Sequence, residues 1–195
     1  MQQVQRVQKY GAHGALGAIG QFVVIQSLRE GDRQTGRMIR EDLEPLAGEY
    51  NNRLQVHYRT PRTPAEFEYC LKDLAAWVRH SGRAPCLHID CHGDKDGIEL
   101  TDGSYMPWSR VKPLFADINV ASRMNMLLVL ACCYGGDFAA ECRYDEPVPF
   151  VYMVGPGNKI YLSRCLLSRE DFTLSFVFRP MVASIRTAPH GTCGA

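Results

Sequence analysis

The chain has 195 residues, is 46% hydrophobic and carries a formal net charge of +1. That length buries one sizeable core and is short for two. A near-neutral charge with scattered basic residues excludes the electrostatic footprint of a nucleic-acid binder, and no apolar run approaches the roughly 20 residues of a membrane span.

The first 20 residues, MQQVQRVQKYGAHGALGAIG, lack the charged and then apolar segments of a secretory signal and read as a lead-in. QFVVIQSL (21–28) is an apolar run of strand length, and the turn-rich REGDRQTG follows it. Ile39, Leu43 and Leu46 recur at helical spacing, with Pro45 expected to kink or interrupt that helix. LQVHY (54–58) predicts a second strand. Thr63-Pro64-Ala65-Glu66 is a helix start: a capping Thr, Pro in the first turn and Glu in the capping-box place. Phe67, Leu71, Leu74 and Val78 trace its apolar face, and Gly82 closes it.

CLHIDC (86–91) predicts a third strand, and IELTDGSYM (98–106) a hairpin with an Asp-Gly turn. Trp108, Val111, Phe115 and Ile118 mark a helix that Pro113 is expected to disturb. MLLVLAC (126–132) is a strand without alternation, as in a sheet covered on both faces. FVYMV (150–154) is a fifth strand. Residues 170–185 read as a last helix, with 156–170 or the tail RTAPHGTCGA left as sources of a sixth strand. This order implies one α/β domain over 21–195, with a mostly parallel central sheet and helices on both faces.

There are 8 cysteines, at 70, 86, 91, 132, 133, 142, 165 and 193, mostly within apolar runs. With no export signal, reduced buried thiols and a cytoplasmic location are the expectation. Cys86 and Cys91 read as core.

In open α/β sheets function gathers at the carboxyl ends of strands. The third strand ends in His92-Gly93 and the fourth in Cys132-Cys133 before Gly135-Gly136. On neighbouring strands, an imidazole and a thiol would share one sheet edge. A thiol nucleophile needs a base nearby and backbone N–H groups for an oxyanion, and glycines let main chain approach a substrate closely.

LHIDCHG (87–93) and LLVLACCYGG (127–136) together resemble the caspase-like (clan CD) cysteine peptidases, which include legumains, gingipains, separases and bacterial CHAT-domain proteases. The likeness is closest to the CHAT type, whose segments often read L-H-F-A-T-H-G and L-V-V-L-S-A-C-E-T-G. Gingipains carry C-x-x-G-D-F, and residues 133–138 read C-Y-G-G-D-F. The resemblance implies a caspase-like three-layer sandwich and a cysteine endopeptidase. In it Cys133 attacks the peptide carbonyl, His92 protonates the leaving amine, and the N–H groups of Gly93 and Cys133 form the oxyanion hole. A competing register, Ala131-Cys132-x-x-Gly135, makes Cys132 the nucleophile. His88 matches a histidine common in CHAT-type strands and reads as structural, making a buried hydrogen bond.

The resemblance implies no metal or organic cofactor. A zinc site on His88, Cys91, His92, Cys132 and Cys133 is disfavoured, because sequence neighbours on a strand point to opposite sides. It implies a protein substrate, with a gasdermin-like pore former and an antiviral-defence or cell-death role as one setting. A regulatory protein or domain is an expected partner. Asp90, Asp94, Asp96 and Asp137 lie near the motifs and favour Arg or Lys at P1, although Cys132 stands where Arg-specific members often have Asp. Trp108, after the hairpin, is a candidate border of the substrate cleft. The alternatives are a catalytically silent caspase-like scaffold and another thiol enzyme on the same sheet.

Overall fold

The computed structural model describes residues 19–49, 54–143, 145–158, 172–178 and 181–185, the last two segments as backbone only. The strands are β1 (Gln21–Ser27), β2 (Gln55–Arg59), β3 (Pro85–Gly93), β4 (Gly97–Glu99), β5 (Tyr105–Pro107), β6 (Leu127–Ala131), β7 (Tyr152–Pro156), β8 (Phe172–Phe178) and β9 (Met181–Ile185). The helices are α1 (Thr35–Glu49), α2 (Pro64–Ser81) and α3 (Trp108–Ala121), with a 3-10 helix at Gly135–Glu141. Along the sheet the order is β2-β1-β3-β6-β7-β8-β9. The first five strands of that order are mutually parallel, and β8 and β9 run antiparallel. The β4–β5 hairpin pairs with the end of β3.

The layers follow from side-chain alternation. Val23, Ile25, Leu87, Ile89 and Cys91 enter the main core with Phe67, Leu71, Leu74 and Val78 of α2 and Val111, Phe115 and Ile118 of α3. Their strand neighbours Val24, Gln26 and Asp90 meet the first turn of α1 at Gly36. Successive strand side chains face opposite ways, so helices lie on both faces of the sheet. α2 starts as its sequence predicts: Glu66 N–H donates to the Thr63 hydroxyl at 3.3 Å, and Gly82 ends it at φ 67°. In the hairpin turn Gly103 has φ 84°, which glycine adopts without a Cβ clash.

Four expectations change. Pro45 and Pro113 do not interrupt their helices, which run through both. Each proline is exposed, so the carbonyl one turn before it can take a hydrogen bond from water. The predicted helix over 170–185 is instead the β8–β9 pair, antiparallel with register Val177↔Val182. FTLSFVF alternates with period two and is rich in β-branched and aromatic residues, which outweighs its helical reading. β8 supplies the sixth strand of the main sheet. The proposed lead-in, apart from its last two residues, and the tail from 186 lie outside the described residues.

Trp108, expected at the cleft border, is 1% exposed. Its ring stands 5.0 Å from Phe138, which meets Phe115 at 5.6 Å and Phe150 at 6.0 Å. Its indole N–H donates to the Lys95 carbonyl at 3.0 Å. This aromatic cluster anchors the segment after the cysteine pair to α3. Trp108 is a core residue because the helix face that starts at 108 is the one turned inward.

Candidate active site

β3 outruns its neighbour. The parallel β3–β6 register ends at Asp90↔Ala131, while β3 continues to Gly93. His92 lies near the end of β3, and Cys133 lies two residues past the end of β6, its neighbour in the sheet. Both lie at the carboxyl edge of the sheet. The two cysteines separate by burial: Cys132 is 1% exposed and belongs to the core, whereas Cys133 is half-buried. Cys91, one residue before His92, contacts the Cys132 thiol, and that contact together with burial pushes Cys91 far up. Cys91 and Cys132 therefore belong to the core, and Cys133 is the least buried of the three.

Glycines make this corner. A Cβ on Gly135 would stand 2.8 Å from the Leu130 carbonyl, and one on Gly155 of β7 would stand 2.8 Å from the Gly136 nitrogen. The chain leaving β6 folds back so tightly that only hydrogen fits. Tyr134, directly after Cys133, takes a left-handed backbone at φ 58° and donates its N–H to the Asn158 carbonyl at 3.1 Å. The Lys95 ammonium sits 5.7 Å from the centre of its ring.

Gly93 packs against the same corner: a Cβ there would lie 3.1 Å from Cys132 Cβ and 3.2 Å from the Cys133 carbonyl oxygen. Asp94 N–H donates to the Gly97 carbonyl at 3.0 Å. In an antiparallel ladder bonded and non-bonded pairs alternate, so the Gly93↔Ile98 pair is non-bonded and the Gly93 N–H points away from β4.

His92 has 43% of its side chain exposed, and its Nε2 lies 2.8 Å from Oδ2 of Asp32 in the loop before α1. Burial alone would raise the Asp32 carboxyl. The hydrogen bonds from His92 and the Arg29 N–H, with the electrostatic pull of both residues, outweigh it and hold the group below the usual carboxylate range. Sequence reasoning passed over Asp32 because it sits in a turn where acids are common. No local signal marks it; only β3's register against β1 brings it to His92.

The acids expected to flank a substrate have other engagements. Asp90 is 4% exposed and accepts from the Thr35 hydroxyl at 2.7 Å and Gly36 N–H at 2.5 Å. Burial raises it, against those two hydrogen bonds. It caps the start of α1 and is a structural carboxylate, not a loop acid. Asp94 accepts from the Tyr105 hydroxyl at 2.6 Å and from Asp96 and Gly97 N–H, which hold it low against burial. Asp137 lies half-buried in the first turn of the 3-10 helix.

His88 departs from expectation: it is 7% exposed, and its Nε2 has no hydrogen-bond partner among the described residues. His88 and His92 share one sheet face, Cys91 and Cys132 the other. Among the described residues no three His, Cys, Asp or Glu side chains are grouped to hold a metal ion.

No protein-family model matches the sequence, and no curated protein does either. Among solved structures, the Drosophila initiator caspase Dronc matches with a TM-score of 0.52 at 13% identity, over 70% of this chain and 54% of that one. Raptor from Chaetomium thermophilum matches at 0.40 and 12% identity, over 73% of this chain and 16% of that one, a level that adds nothing to the fold assignment. This chain thus spans about half the length of the caspase chain it resembles. The fold is caspase-like: a mostly parallel central sheet with helices on both faces.

Proposed function

We propose that this protein is a cysteine endopeptidase whose nucleophile is Cys133 and whose acid–base group is His92. What supports this reading is a half-buried cysteine just past the end of β6 and a histidine near the end of the neighbouring β3, both at the carboxyl edge of a caspase-like sheet. The Cys133 thiolate adds to the peptide carbonyl carbon, and the Gly93 and Cys133 N–H groups receive the developing oxyanion. As the C–N bond breaks, the leaving amine takes a proton from His92 and a thioester remains. Water, deprotonated by His92, then releases the acid and restores the thiol.

The spelling of the two motifs supports a CHAT-type relative. We place its substrate among protein partners, with a gasdermin-like pore former and a bacterial defence or cell-death role as the setting to try first. A cytoplasmic location accompanies that setting. Among the described residues no helix is long and apolar enough to cross a membrane.

Peptidyl acyloxymethyl ketones differing at P1 test the chemistry, with labelled residues mapped by mass spectrometry. Rapid labelling at Cys133 that is lost in His92→Ala and kept in Cys132→Ala is the expected result. Labelling that follows Cys132 would move the nucleophile. Slow, uniform reaction of all cysteines would favour the silent-scaffold reading.

A further inference from the structure

We infer that Asp32 is a positioning residue, so that the site works as an Asp32–His92–Cys133 relay in which Nδ1 of His92 is the working nitrogen. The inference rests on the cysteine-peptidase reading above and adds a group to it. Asp32 Oδ2 lies 2.8 Å from His92 Nε2 and 2.9 Å from the Arg29 N–H. Gln34 Nε2 donates to the Asp32 carbonyl at 2.9 Å and to the Arg29 carbonyl at 3.0 Å, which braces the turn from behind. The Arg29 guanidinium also pairs with Glu99, the residue opposite His92 in the β3–β4 register. Asp32 is therefore fixed by main chain and by the hairpin, not by the ring alone.

An ionised carboxylate only accepts hydrogen bonds. Facing Asp32, the neutral ring must carry its proton on Nε2, which leaves the lone pair on Nδ1. Nδ1 is then the atom available to the Cys133 thiol and the leaving amine. The charged groups around His92 are Asp32 and Arg29 from the first loop, Asp90 on its own strand and Glu99 across the hairpin. Asp90 is committed to Thr35 and Gly36, and Glu99 to Arg29. Asp32 is the carboxylate that meets the ring. Without it the other tautomer competes, and the imidazolium formed during transfer loses its countercharge.

The test uses the full chain as wild type, Asp32→Asn and Asp32→Glu. Rates of Cys133 alkylation are measured with ketones bearing Arg, Asp or Leu at P1, across about pH 5 to 9 around the ordinary histidine range. The expected result is a fall of about 10- to 10³-fold in the maximal rate of Asp32→Asn with every ketone, with half-saturation kept. The pH profile shifts as well, and Asp32→Glu recovers part of the rate. Nitrogen-15 histidine spectra of Cys133→Ala, read without turnover, should show His92 protonated on Nε2, and a mixture once Asp32→Asn is added. Equal rates and pH profiles, a loss confined to the Arg ketone, or a His92 proton on Nδ1 with Asp32 intact would each overturn the inference. If Asp32→Asn fails to fold, the spectrum with Asp32 intact still decides. A wild type unreactive at Cys133 would instead refute the peptidase reading, while the spectrum reports on Asp32 separately.

Discussion

His88 lies in the middle of β3, its ring stacked 6.4 Å from Phe22, and burial pushes its pKa down to about 4 from 6.5. The fold holds this imidazole neutral, whereas the unfolded chain lets it ionise. Between pH 6.5 and about 4 the unfolded state therefore binds more protons. Stability should be untouched above that window and fall as pH drops through it, by on the order of 3 kcal/mol at its foot. Urea unfolding of wild type and His88→Leu at neutral and acid pH checks this. Wild type should lose more stability on acidification, and equal losses would show that His88 does not govern the acid limb. Cys132 and Cys133 illustrate the same scale: of two adjacent residues just past β6, one is buried and the other half-buried.

Among the elements, the corner after β6 is the most demanding. Gly155 and Gly135–Gly136 touch backbone to backbone, so an added methyl group has no flexible side chain to displace. Gly155→Ala should cost about 1–3 kcal/mol. It should also slow Cys133 alkylation, because the Gly135–Gly136 backbone it pushes against follows Cys133 by two residues; thermal unfolding and alkylation rates measure the two effects. A normal unfolding midpoint with unchanged reactivity would mean the corner yields. The start of α1 is set by a second close fit. A Cβ on Gly36 would stand 2.9 Å from Gln26 Oε1, 3.0 Å from Val24 Cγ1 and 3.1 Å from Asp90 Oδ2. Gly36→Ala therefore crowds these three side chains and should destabilise by a similar amount, about 1–3 kcal/mol. Asp90→Ala leaves two donors unpartnered at a buried helix start and should cost about as much. The loop that carries Asp32 hangs from this helix start, so both changes should also reduce Cys133 reactivity.

For the whole molecule, the thiols report on the fold. Cys86, Cys91 and Cys132 are buried, Cys133 is partly open, and burial lifts Cys86 to about 12. Among the described residues, the cysteines at 70, 86, 91, 132, 133 and 142 form no disulfide. Iodoacetamide should label Cys133 well before Cys86, Cys91 and Cys132, which become reactive only on unfolding. Simultaneous labelling of all four would contradict the described core. Exposed ion pairs such as Arg37–Glu41 contribute little to this stability, so moderate salt should leave the unfolding midpoint nearly unchanged.

Much of this architecture was legible in the sequence because it is written in local terms. The capping pattern at Thr63–Glu66 fixes a helix start, the Asp-Gly pair fixes the hairpin turn, and the runs at 86–91 and 126–132 are too apolar for any place but the sheet interior. The His-Gly and Cys strand ends were legible too, and the strands that carry them are neighbours. Other features depend on what packs where. Pro45 and Pro113 are harmless because their helix faces happen to meet water, and FTLSFVF is a strand because a neighbour accepts its ladder. Trp108 and Asp90 look like cleft residues by position but are claimed by the core and by α1. By itself, the sequence determined the fold class and offered His92 and Cys133 as candidates, since periodicity and strand-end chemistry are properties of short segments. Only the tertiary structure decided that Cys132 is buried while Cys133 is half-buried and that Asp32 meets His92, because both depend on packing between segments far apart in the chain.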